Sequence, residues 1–125
     1  MKRDIELERK ILFKIEEVYK PGKGTISNLQ IDGYDLETIA EHCDILDQQG
    51  LIKSYKATYA DNKIHVFFVG NITARGYDYL ELIRNPEIWE NTKTEIEQKK
   101  LPQTLETIAQ VAGTFMGKFM QNFKD

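Results

Sequence analysis

The chain has 125 residues, 41% of them hydrophobic and 30% charged, with a net charge of −3. That suits a single soluble domain with its own core, and it excludes a generally basic nucleic-acid coat. One cysteine, Cys43, excludes an internal disulfide, and the natural expectation is a reducing cytoplasm.

The N-terminus MKRDIELERK has no apolar core of the kind a secretory signal needs, and no apolar run reaches membrane-spanning length. Ile5, Leu7, Ile11, Leu12, Ile15 and Val18 fall mostly on one helical face, which predicts an amphipathic helix over about Asp4 to Tyr19. KPGKG ends it, and the alternation in SNLQI predicts a short strand over Ser27 to Ile31.

A second helix follows Asp35, a good N-cap. Its buried stripe is Leu36, Ile39, Ala40, Cys43 and Leu46, and Gly50 is the natural residue just past its end. The same helix carries five acids, Asp35, Glu37, Glu41, Asp44 and Asp47, with no lysine or arginine. It is expected to present Glu37, Thr38, Glu41, His42, Asp44, Asp47 and Gln48 to solvent.

Two β-rich runs, LIKSYKATY and IHVFFVGNI, joined at Asp61 and Asn62, predict a hairpin. Alternation places Phe67 and Phe68 on opposite faces of it. Three helices complete the chain. One is capped by Thr73 with Tyr77, Leu80 and Ile83 on one face. One follows Asn85-Pro86 with Ile88, Trp89, Thr92 and Ile96 inward. The last runs from about Gln103 to Phe123.

Helix, strand, helix and hairpin is the order of a winged-helix domain. ILDQQGLI resembles the end of its third helix, and ITARGYDYL resembles the (L/I)T-x-x-G-x-x-x-L segment that often follows the wing. The segments MKRDIELERKILFKIEE, IDGYDLETIAEHCDILDQQGLIK and ITARGYDYLELIRNPEIWENTK resemble a closer group, the bacterial and prophage family called domain of unknown function 2513. The resemblance covers roughly residues 1 to 95. It implies a winged-helix-like prophage protein and supplies no activity and no catalytic residues. Between Tyr19 and Asp35 there is too little chain for a complete second helix with its turns, a departure from DNA-binding winged helices. The expected fold is thus α+β: a winged-helix-like domain over 1–85 and a helical C-terminal extension over 86–125, packed on it or forming a dimer interface.

Phosphates would repel the acidic helix, because DNA affinity rests on Lys and Arg. The candidate DNA contacts lie elsewhere, at Lys2, Arg3, Lys53, Lys56 and Lys63, with Lys56 and Lys63 near the wing tip. The bland reading of each is an ordinary surface cation. Stacking of bases on the aromatic hairpin is disfavoured by the sparseness of basic companions. His42, Cys43 and Asp44 are adjacent in a helix and so point in different directions, which is poor metal geometry. KPGKG lacks the spacing of a phosphate loop, and no nucleophilic set stands out. No catalytic, cofactor or metal residue is expected, and no enzyme.

The last helix carries Leu105, Ile108, Ala112, Phe115 and Phe119 at three-four spacing. Ala109, Met116, Met120 and Phe123 widen that stripe, and Ala109, Gly113 and Gly117 stand four apart. The candidate protein interface is Ala109, Ala112, Gly113, Met116, Gly117 and Met120, matched by a second copy or a partner protein, or packed within its own domain. The expected function is a small non-enzymatic accessory factor acting through protein contacts, with homodimerisation. The alternative is a DNA-binding transcriptional regulator using a basic wing.

Overall fold

The structure is a computed structural model and describes residues 1–123. It is α+β, with five helices and one three-stranded antiparallel sheet among the described residues. The chain divides into two compact units, residues 1–77 and 78–125, and the division falls inside the third helix.

The first unit begins with α1, Ile5–Val18, capped where the Asp4 carboxylate accepts the Leu7 N–H at 3.1 Å. Leu7, Ile11, Leu12 and Ile15 are fully buried. Each contributes about 1.5–3 kcal/mol by leaving water, which outweighs the marginal stability of an isolated fourteen-residue helix.

The strand predicted over Ser27–Ile31 is shorter and earlier: β1 is Ile26–Ser27. Asn28 ends it, with φ +48°. Its N–H donates to the Phe67 carbonyl at 2.8 Å, while its side-chain oxygen accepts the Phe67 N–H at 3.0 Å. One residue thus makes both bonds of a ladder rung as the chain turns away. Leu29 is buried without belonging to a strand, so its apolar character reported burial rather than extension.

Helix α2, Leu36–Gln48, is capped by Asp35, which accepts the Thr38 N–H at 2.8 Å. Gly50 follows at φ +75° and Leu51 N–H closes back on the Leu46 carbonyl, so the helix ends at a glycine able to turn left-handed. Strands β2, Lys56–Ala60, and β3, Lys63–Val69, form the hairpin. Asp61 and Asn62 make its two-residue turn, both at positive φ, a geometry that small Asx side chains tolerate. The sheet order is β1-β3-β2. Its inner face packs on α2 through Phe67 and Val69, both fully buried.

His42 overturns its expected place. It is fully buried rather than facing solvent. It stands three residues after Ile39 and four before Leu46, inside the apolar stripe, and its polar atoms are satisfied there.

Helix α3, Ala74–Ile83, starts in the first unit and ends in the second. In the second unit, α4, Pro86–Gln98, is capped by Asn85 with proline in its first turn, as expected. Ile88, Trp89, Thr92 and Ile96 form its buried side. The last helix, α5, Leu105–Gln121, starts later than expected because Thr104 supplies the cap, accepting the Thr107 N–H at 3.2 Å. It packs against α4 as an antiparallel hairpin: Glu95 shares a groove with Thr107 and Val111, Glu87 with Phe119 and Asn122. No helix of the described residues is long and apolar enough to cross a membrane.

Candidate functional site

Three surfaces carry the candidate residues. The first is the exposed side of α2. Glu37 and Glu41 are exposed there, Asp44 and Asp47 half-buried. Asp35 is held below the usual carboxylate range by the bonds it accepts from Thr38. Asp47 also accepts the Tyr55 N–H at 3.3 Å. Burial pushes the Tyr55 hydroxyl well above its ordinary value, and neighbouring Tyr59 and Asp44 add to the shift.

The first turn of α1 is joined to α2 by a polar cluster. His42 Nε2 accepts the Asp4 N–H at 2.9 Å, so the ring is neutral and its proton sits on Nδ1, which donates to the Thr38 carbonyl at 2.8 Å. Tyr34 donates its hydroxyl to the Asp4 carboxylate at 3.0 Å. Arg3 clasps the buried Glu8 with two bonds, at 2.7 and 2.8 Å. Arg3, a candidate DNA contact, is therefore engaged inside the fold. Its neighbour Lys2 is exposed.

The second surface is the outer face of the sheet. Directly paired residues of antiparallel strands share a face. Phe68 pairs with Ser27 on one side and Lys56 on the other, Val66 with Thr58, and Lys63 with Ala60. The run Lys56, Thr58, Ala60 alternates along one strand, so these residues share one face, opposite Phe67 and Val69. The register slips between Thr58 and Tyr59, leaving His65 as an extra, exposed residue of a bulge. Lys56 and Lys63 thus share this face at its two ends, with the half-buried Phe68 directly across from Lys56. Lys53, also exposed, lies before β2, its N–H donating to the Asn71 carbonyl at 2.9 Å. Asp44 and Asp47 of α2 lie beside Tyr55 at the base of β2, while Glu37 and Glu41 are exposed on the helix.

The third surface is α5. Ala112 is fully buried with Leu105 and Ile108. Ala109, Gly113 and Met116 are half-buried, Gly117 and Met120 exposed, with Met120 at 59%. A Cβ placed on Gly113 or Gly117 would meet nothing within 4 Å. The flank of the helix is open, while Ala112 belongs to the packed side.

Cys43 is fully buried, and burial raises its thiol far above the ordinary value. Among the described residues no group of three His, Cys, Asp or Glu side chains is placed to hold a metal ion. Sequence reasoning missed the buried Glu8 and His42. Their spacing held the signal: Ile5, Glu8, Leu12 and Ile15 form one stripe at three-four spacing, and His42 completes another.

The family model described as Hypothetical protein (DUF2513) matches residues 2–102. An uncharacterized protein of Haemophilus influenzae is 32% identical over 120 residues, covering 96% of this chain and 99% of that protein. No solved structure matches. The match spans α1 through α4 and both the polar cluster and the hairpin, so the chain belongs to the family of domain of unknown function 2513.

Proposed function

We propose that the protein is a small, non-enzymatic, winged-helix-like accessory factor of the prophage type, working in the cytoplasm through protein contacts, and that α5 pairs it with a second copy. The winged-helix reading is supported by the strand order β1-β3-β2 and by the placing of α2 directly before the hairpin. Turns over 28–35 stand where a further helix would be.

The observation that carries the pairing is the open flank of α5. Ala109, Gly113, Met116 and Met120 recur at spacings of four and three, and both glycines face open space. Lys118 is the single charged residue from Thr107 to Phe123, and its ammonium sits over the Phe115 ring at 5.6 Å. An uncharged stripe opposes its own copy without repulsion, and offers a charged partner nothing to pair with.

The test is light scattering on the full chain across a concentration series, beside Gly113→Glu, which adds a charge where the fold has room. The expected result is a dimer that the variant converts to monomer. A wild-type monomer at high concentration overturns the reading. A dimer untouched by the substitution moves the interface off α5.

A DNA-binding regulator is the second reading, favoured by the shared face of Lys56 and Lys63. The acidic side of α2 and the engagement of Arg3 with Glu8 weigh against duplex reading by α2.

A further inference from the structure

We propose that the outer face of the β1-β3-β2 sheet binds single-stranded nucleic acid, with the Phe68 ring set between Ser27 and Lys56 and with Lys63 toward the hairpin tip. This stands apart from pairing through α5.

Three observations carry it. First, the face is of one sign. Its paired residues are Ser27, Phe68, Lys56, Val66, Thr58, Lys63 and Ala60, and none is acidic. The bulged His65 beside them is exposed and adds no carboxylate. Asp61 stands in the hairpin turn beyond Lys63, outside the paired residues, and leaves Lys56 at the other end of the face without a carboxylate among its cross-strand partners. Second, the two lysines are spread along the strand. Lys56 and Ala60, the partner of Lys63, stand four residues apart, about 13 Å at strand rise. That suits two separate phosphates of an extended backbone better than one ion. Third, Phe68 is half-buried on an open sheet, in a class of surface where unpaired bases stack.

The choice of single strand over duplex follows from the ring. Bases of a duplex are already stacked on each other, and a ring lying in the sheet surface cannot enter that stack. A splayed single strand offers free base faces to the ring while its phosphates meet the lysines. Since every base has such a face, the contact is tolerant of sequence.

The experiment is fluorescence anisotropy of the full chain with labelled oligothymidine, labelled oligouridine and a DNA duplex of equal length, at low and at physiological salt. The proposal expects at least one single strand to bind more tightly than the duplex, with affinity falling as salt rises. Tighter binding of oligouridine assigns the partner as RNA, and tighter binding of oligothymidine as DNA. Lys56→Gln with Lys63→Gln should weaken it about tenfold. Phe68→Leu, which keeps an apolar cover, should weaken it several-fold, with circular dichroism confirming the fold. If Phe68→Leu does not fold, the exposed lysine pair decides. Absence of single-strand binding at low salt overturns the proposal, as does binding unchanged by the lysine pair. A duplex bound as tightly or more tightly also overturns it and leaves the regulator reading standing.

Discussion

Gly76 lies directly under the Leu51 carbonyl. A Cβ added at Gly76 would stand 2.1 Å from that oxygen and 2.6 Å from the Ile72 methyl. The same carbonyl accepts the Thr73 N–H at 3.0 Å, and the Thr73 hydroxyl donates to the Gly50 carbonyl while accepting the Gly76 N–H at 2.9 Å. Thr73 and Gly76 therefore lock the start of α3 to the turn after α2, which gives the Thr-x-x-Gly spacing a physical cause. Gly76→Ala should destabilise the protein by about 2–4 kcal/mol, since the clash is with backbone rather than a movable side-chain end. Urea unfolding of the two proteins measures it.

His42 has both ring nitrogens paired inside the fold. His42→Ala should cost about 2–4 kcal/mol, combining a cavity with an Asp4 N–H and a Thr38 carbonyl left without this partner. The loss should be accompanied by faster amide exchange in the first turn of α1, which the Nε2 contact ties down. Unfolding free energy with amide exchange on the same sample tests both halves.

Cys43 should be silent toward an aromatic disulfide reagent at mildly alkaline pH in the folded protein. Its thiol is buried, and burial disfavours the thiolate that reacts. One equivalent should react once urea unfolds the chain. Rapid reaction without denaturant would show that the α2 core opens.

Asp35 is held below the ordinary carboxylate range by its cap bonds. A lowered folded value means that its stabilising part is complete above the unfolded carboxylate range, and is lost as the pH falls through the folded value. Asp35→Asn keeps a capping oxygen and has no such titration. Its melting temperature should fall less steeply than the wild type's on acidification. Parallel slopes would show that the Asp35 charge does not matter to the cap.

Gly113 and Gly117 sit in a helix with space beside them. Each change to Ala should stabilise an isolated chain by about 1 kcal/mol through helix propensity. If pairing through α5 holds, the larger Gly117→Leu should weaken the dimer while leaving the monomer fold intact. Thermal melts at dilute and concentrated protein separate the two effects.

Most element types were legible because periodicity and caps agree. Asp35, Thr73 and Asn85 announce helix starts, and the α4 stripe of Ile88, Trp89, Thr92 and Ile96 is buried as its spacing foretold. The strand at Ser27–Ile31 was misplaced because alternation cannot register Asn28 turning left-handed. Polarity alone points His42 to solvent, but its place in the stripe of Ile39, Cys43 and Leu46 sets it inward. The shared face of Lys56, Phe68 and Lys63 was hidden for a different reason. It depends on cross-strand register and on the bulge at His65, and neither is written in one strand alone.

The exposed Glu37 and Glu41 of α2 and the exposed Lys56 and Lys63 of the sheet give the first unit local patches of both signs that its small net charge conceals. Such a body turns in the field of a charged surface before touching it. It should bind weakly to cation and anion exchange resins alike at low salt, presenting a different patch to each.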